Sequence, residues 1–151
     1  MDIAIDFNGE ILSGDLILSD VDLATESGLK SAVIVALFSH ARADDADAVP
    51  GAPDDRRGWW GDMVADIEGD VTGSKRWLYY REKATEATAR LIREADRAAL
   101  QFLIDQRVVS GVTGITIETE WRPHGVLYER IELLRPTGPV EFQFTQVWGS
   151  V

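Results

Sequence analysis

Between Gly73 and Arg107 the chain reads GSKRWLYYREKATEATARLIREADRAALQFLIDQR, and its second half carries the period of a long amphipathic helix. Thr85 is a suitable N-cap, because its hydroxyl can accept from a free first-turn N–H. Glu86 follows where the helix dipole favours an anion. Leu91, Ala95, Ala98 and Phe102 recur on one stripe, widened by Ile92, Ala99 and Leu103. Arg90, Arg93, Glu94, Asp96 and Arg97 are expected on the opposite face. At 1.5 Å per residue, Thr85 to Arg107 gives about 35 Å of helix, enough to cross a small domain. Such a helix must bury its stripe against something, so the flanking segments have to supply a second layer.

At 151 residues with 45% hydrophobic content, the chain is expected to be a single domain spanning 1–151 with a real core. It has no run of about 18 apolar residues, so no membrane span is expected. The opening MDIAIDFNGE is acidic where a secretion signal would be basic. Without cysteine there is no disulfide, thiol nucleophile or cysteine-ligated zinc. Charge is unevenly placed. Residues 1–73 hold 16 acids against four Lys/Arg, whereas residues 74–107 hold eight basic and five acidic groups. A net charge of −11 argues against nucleic acid as a partner. It fits either plain solubility or an assembly in which opposite charges meet.

Taken in order, Asp2–Phe7 alternates Ile3, Ile5 and Phe7 with Asp2, Ala4 and Asp6, as a half-buried strand does. Asn8-Gly9 is a strong turn signal. Ile11-Leu12 and Leu16-Ile17-Leu18 follow it, so an N-terminal strand or hairpin is expected. Asp22 to His40 reads as a second helix, capped by Asp22 or Thr25 and apolar nearly all round. A helix of that kind has to be covered by partners. The run Val33-Ile34-Val35 would also suit a strand, but the length of the segment favours helix.

Residues 41–62, ARADDADAVPGAPDDRRGWWGD, form a long loop of the sort that usually carries function. Its aspartates lack the spacing of a calcium-binding loop, so no metal is expected there. Arg56-Arg57-Gly58-Trp59-Trp60-Gly61-Asp62 stands out instead. The two indoles can fold back and cap the core, anchor a protein interface alongside Arg56 and Arg57, or stack on a sugar ring. After the loop, Lys75–Lys83 is spaced for a short helical turn that lays Trp77 and Leu78 on the core. Gly111 and Gly114 close the long helix. Ile115, Ile117, Thr119 and Trp121 then alternate with polar residues, and Pro123-His124-Gly125 turns the chain back. In the next strand Leu127, Ile131 and Leu133 share a face with Glu129. A turn at Pro136–Pro139 leads into Val140, Phe142 and Phe144, running towards Trp148. The fold class is therefore α+β, with two helices packed on a small antiparallel C-terminal sheet.

Chemistry-bearing motifs are scarce. The sequence has no phosphate-binding glycine loop, no G-x-S-x-G and no H-E-x-x-H. His40 and His124 sit at a helix end and in a tight turn, and read as surface residues. A glycosidase would need two carboxylates across a groove, one of them in an apolar pocket. Asp62 beside Trp60 and Glu82 near Trp77 are the only pair with an aromatic setting. Two alternatives to a purely structural role follow: a small peptidoglycan hydrolase using Asp62 and Glu82, or a sugar-binding module using Trp59 and Trp60.

Several segments together carry a family resemblance. DLATESGLKSAVIVALFSHARA at 22–43, DRRGWWGD at 55–62, GSKRWLYYREK at 73–83, LIDQR at 103–107 and the C-terminal strands resemble the baseplate wedge proteins of Mu-like phages. These belong to the wider group of sheath-initiator proteins in contractile tails. The resemblance implies a structural virion component without catalytic turnover or cofactor, assembled in the host cytoplasm into the tail baseplate. Its implied partners are other wedge proteins, sheath subunits and tube or hub proteins in a six-fold array. The wider group carries Glu-Pro-Arg after the long helix; this chain has Asp105-Gln106-Arg107 and keeps only the arginine. Some members of that group have carried a lysozyme label, which the scarcity of suitable carboxylates here does not favour.

On this view the 41–62 loop is an interface arm anchored by Arg56, Arg57, Trp59 and Trp60. Val140–Val147 is short of charge after Glu141 and has no proline, so it is a poorly guarded sheet edge. Together with Ile115–Trp121 it is expected to pair with strands of a neighbour. That makes Ile115, Ile117, Val140, Phe142, Phe144 and Trp148, with Arg107, the remaining interface candidates.

Overall fold

A computed structural model describes residues 2–10, 13–19, 22–23, 25–26, 29–65 and 71–148. Its scaffold is a three-stranded antiparallel sheet in the order β7-β8-β9, built from β7 (Ile115–Arg122), β8 (Val126–Arg135) and β9 (Gly138–Val147). The register places Ile117 opposite Ile131 and Ile131 opposite Phe142, so one face presents an apolar row. Ile115, Leu127, Leu133 and Phe144 extend that row and are buried. Each such side chain stabilises the fold by about 1.5–3 kcal/mol through lost water contact.

Helix α1 (Lys30–Phe38) lies over this face through Val33, Ile34, Ala36 and Leu37, with Val35 left partly exposed. The helix choice for Val33-Ile34-Val35 holds, because tertiary burial on nearly all sides outweighs the mild cost of β-branched residues in a helix. Its start differs from the expected one. Leu29 precedes the first helical residue with no side-chain cap, and the segments carrying Asp22 and Thr25 form short strands instead.

The N-terminal layer is a set of two-stranded ladders. β1 (Asp2–Ile3) pairs with β6 (Thr25–Glu26), β2 (Ile5–Asn8) with β3 (Ser13–Leu16), and β4 (Leu18–Ser19) with β5 (Asp22–Leu23). The expected hairpin is therefore present, although Ile11-Leu12 lie outside the described residues. Ser31 of α1 ties the layer down: its Oγ accepts from Ile5 N–H at 3.1 Å and donates to the Ile3 carbonyl at 2.8 Å. Phe7 stacks on Phe38, which meets Phe144 edge-on. The turn closes onto the sheet, since the Gly9 carbonyl accepts from Val147 N–H at 3.2 Å.

Helix α2 (Glu86–Ala99) begins at Thr85, whose Oγ1 accepts from Thr88 N–H, as its sequence anticipates. The continuous helix to Arg107 does not form. Leu100 interrupts it, and α3 (Gln101–Asp105) continues for five residues. No proline or glycine breaks the run. Leu100 and Leu103 are both fully buried in the main core, and the bend lets both reach it. The buried face is also rotated from the expected stripe. Ala89, Ile92 and Asp96 point inward, while Leu91, Ala95 and Phe102 are half-buried and Ala98 is exposed.

Candidate interface surfaces

Lys75–Tyr79 forms a 3-10 turn that places Trp77 and Leu78 on the core, as their spacing indicates. Between Lys75 and Trp77 it also sends Arg76 into the centre of the fold. There Arg76 Nη1 donates to Asp96 Oδ2 at 3.2 Å, and Nη2 donates to Glu129 Oε2 at 2.7 Å and Gln146 Oε1 at 2.8 Å. Ser74 Oγ donates to Asp96 Oδ1 at 3.0 Å and accepts from Arg76 N–H. Arg76, Asp96 and Glu129 are each wholly buried.

Two carboxylates facing one guanidinium cannot both ionise cheaply out of water. Burial pushes the Asp96 carboxyl well above its ordinary value; Arg76 pulls it back, and neighbouring Glu129 pushes it up again. Burial opposes the charge on Arg76, yet Asp96 and Glu129 hold its pKa above normal. The cluster thus holds both carboxyl groups against one guanidinium, with burial favouring a proton on Asp96. It joins the 75–79 turn, α2, β8 and β9, and its sealed position makes it a structural lock. Sequence gave one signal of it, Glu129 on an apolar strand face; Asp96 and Arg76 were hidden among surface-type charges.

The 41–62 loop is braced at its base. His40 and Ser74 form a parallel bridge, and Trp77 Nε1 donates to the Ala41 carbonyl at 2.8 Å. Arg56 donates to the carbonyls of Asp44, Asp45 and Asp47. Arg57 lies 4.5 Å over the Trp77 ring and donates to His40 Nδ1 at 3.0 Å. Burial, and then the Arg57 charge, lower the His40 pKa, which keeps that ring neutral and able to accept. Asp44 and Asp47 close around the Lys75 ammonium. Both arginines named as interface anchors thus help hold the arm, and Arg57, still exposed, also pairs with Asp55 at 3.7 Å.

The two tryptophans do reach outward. Trp59 is 53% and Trp60 70% exposed, so the core-capping alternative is not what the chain does. A 3-10 turn at Trp60–Val64 carries Met63 and Val64 beside them, also exposed, two residues the sequence reading did not single out. Trp59 covers Gly61, where a Cβ would sit 2.3 Å from the indole. Asp62, the proposed acid, is committed elsewhere: its Oδ1 accepts from Thr72 N–H at 3.1 Å. Glu82 is exposed and contributes its carbonyl to Trp148 Nε1. Neither lines the groove of about 690 Å³ along α2, which is bordered by Tyr79, Leu91, Ala95, Ala98 and Phe102.

The sheet candidates divide in two. Ile115, Ile117, Phe144 and Trp148 turn their side chains into the chain's own core, and Val140 and Phe142 pack against it half-buried. These six side chains are used at home, because alternation sends every second residue inward. Their backbones are another matter. β7 and β9 are the two outer strands. Among the described residues, the outer edge of β9 is covered only at its end, by the Gly9 turn at Val147. At β7, the Arg97 guanidinium donates to the Ile115 carbonyl at 3.0 Å. Arg107 is exposed with a left-handed backbone (φ 58°), just after Asp105 and Gln106.

The α+β chain thus has β9 and β7 as outer strands, β7 held to α2 through Arg93, Arg97 and Thr85, and an exposed pair of indoles on a braced loop. The sequence profile of the family described as phage protein GP46 matches residues 29–140, and the chain belongs to that family. It is 38% identical over 139 residues to the baseplate protein gp46 of Escherichia phage Mu, covering 91% of this chain and 92% of that one. It is 32% identical over 134 residues to the Mu-like prophage FluMu protein gp46 of Haemophilus influenzae, covering 89% and 86%. No solved structure matches the chain. The resemblance to Mu-like baseplate proteins seen in the sequence is thus borne out. Among the described residues no helix is long and apolar enough to cross a membrane.

Proposed function

We propose that this protein is a structural component of a phage tail baseplate, resident in the virion and assembled in the host cytoplasm. It joins wedge subunits around the tail tube in a six-fold array and gives sheath subunits a strand edge to extend. The likeness to the Mu baseplate protein over nine-tenths of both chains supports the baseplate role. The single structural observation that carries strand pairing is the placement of β7 and β9 at the two margins of a rigid sheet. Apart from the Ile115 carbonyl, which Arg97 holds, a margin of that kind leaves backbone N–H and C=O groups directed away from the sheet, where another chain can bond them.

Complementation tests this. Lysogens lacking the gene are supplied with wild-type protein or with proline variants along Thr116–Glu120, and particles are counted by electron microscopy. Wild type should restore sheathed tails. Proline at alternate β7 positions should leave the purified protein folded but the tails unsheathed, because only the outward N–H is lost. Sheathed tails from every folded proline variant would contradict β7 pairing, and normal tails without the gene would remove the baseplate role itself.

A further inference from the structure

The arm that presents the exposed indoles sets the chemistry of any surface that could cover them. Trp59 and Trp60 have ring centroids 5.6 Å apart, tilted by 49°, so the pair offers a ridged surface rather than one flat plate. Met63 is 83% and Val64 73% exposed on the same turn. Four large apolar side chains held this far into water within six residues form the type of patch that marks an interaction site. They are presented rigidly. The Asp62 carboxyl is fastened to Thr72, the Arg56 guanidinium to three carbonyls, and Arg57 to His40 and the Trp77 ring. Little ordering entropy remains to be lost when a partner arrives.

Charge narrows the partner further. Residues 44–65 contain six aspartates against two arginines. Both arginines are engaged within the arm, Arg57 with Asp55 at 3.7 Å as well, and Asp45, Asp54 and Asp55 stay exposed. The outward field of the arm is therefore acidic. An anionic lipid surface would repel it.

Resting on the baseplate reading, we infer that Trp59, Trp60, Met63 and Val64 dock into an apolar cleft of another protein in the assembly, and that this cleft is rimmed by Lys or Arg. The indoles fill the cleft and set the off-rate. Asp45, Asp54 and Asp55 face the basic rim and steer the encounter.

The test uses the full chain in the particle. Met63 is replaced by photoreactive benzoylphenylalanine, particles are irradiated, and the cross-linked peptide is sequenced. The same strain carries Trp60→Ala, Trp60→Phe or Asp54→Lys/Asp55→Lys, and incorporation into tails is measured by quantitative immunoblot. Thermal melts of the purified variants confirm that they fold. The expected result is a cross-link to another protein whose peptide holds apolar residues with flanking Lys or Arg. Trp60→Ala and the double lysine variant should each lower incorporation by about tenfold or more, and Trp60→Phe much less. Three results would overturn the inference while leaving the baseplate role standing: a cross-link only to lipid, saccharide or this chain; a cross-linked peptide rich in acids; or folded Trp60→Ala protein incorporated like wild type. Absence of the wild-type chain from purified tails would instead sink the baseplate reading on which it rests.

Discussion

Arg76 and Glu129 lie 53 residues apart in the chain and meet at 2.7 Å where water does not reach. Through Gln146 and Asp96 the same guanidinium joins both the outer strand β9 and helix α2. The sheet thus has its orientation fixed by directional polar bonds at its centre as well as by apolar packing. Arg76→Met removes the cation and strands two buried acids. The expected loss is about 3–5 kcal/mol, measured by urea unfolding. Asp96→Asn keeps an oxygen to accept from Arg76 or Ser74 and should cost only about 1 kcal/mol. Glu129→Gln, which weakens the shorter of the two carboxylate contacts to Arg76, should cost clearly more than Asp96→Asn. Equal costs for these two would contradict the raised proton affinity of Asp96.

Much of this architecture was open to inspection before folding, and some was not. Thr85 as cap, Trp77 and Leu78 on the core, and the meander with Glu129 facing inward all follow from local rules that tertiary packing respected. Asp96 could not be found that way. The stripe through Leu91, Ala95, Ala98 and Phe102 has the same period as the true buried row through Ala89, Ile92 and Asp96, so periodicity alone could not choose between them. Only the arrival of Arg76, 20 residues earlier in the chain, makes an inward aspartate affordable. The bend at Leu100 was equally hidden, since it serves distant packing and leaves no breaker in the sequence. At the surface, Trp59 and Trp60 were legible as a motif, but their exposure depends on bonds from Arg56, Arg57 and Asp62 that only the fold reveals.

The pH dependence of stability follows from the Asp96 proton. Its carboxyl titrates above the ordinary 3.8 when folded, so the folded chain keeps a proton that the unfolded chain gives up. The sign is then fixed: this contribution is full below about pH 3.8 and is lost as pH rises towards the folded value. Asp6 and Asp47 act in the opposite sense. A bond from Lys30 lowers Asp6 and a bond from Lys75 lowers Asp47, so their small exposed contributions are present above about pH 3.8 and lost in acid. Comparing wild type with Asp96→Asn from pH 4 to 7 isolates the first effect. The advantage of wild type should shrink with rising pH; a constant difference would contradict it.

Gly9 sits where the N-terminal turn touches β9, and a Cβ there would lie 1.6 Å from the Thr145 carbonyl oxygen. Gly9→Ala should therefore push the hairpin off the sheet and cost about 1–3 kcal/mol. At Gly14 the added atom meets its nearest neighbour at 3.5 Å, an ordinary contact. Gly14→Ala should be neutral or slightly stabilising through the unfolded chain. Thermal unfolding of the two variants separates these outcomes, and hydrogen exchange at β9 should rise in Gly9→Ala alone.

Breaking the brace of the arm should matter more for assembly than for folding. Lys75→Met removes the contacts to Asp44 and Asp47, which are partly exposed, so the expected stability loss is below about 1 kcal/mol. Fluorescence anisotropy of the tryptophans should fall as the arm loosens. Unchanged anisotropy would mean that the 3-10 turn at Trp60–Val64 holds its position without help from this ion cluster.

A cryo-EM map of the tail particle bears most directly on the whole account. It should place this chain in the baseplate with a neighbour's strand hydrogen-bonded along the free margin of β7 or β9. A map in which the chain is present but both margins bond only to water, or in which the baseplate is complete without it, would contradict the claim that this fold exists to be extended by others.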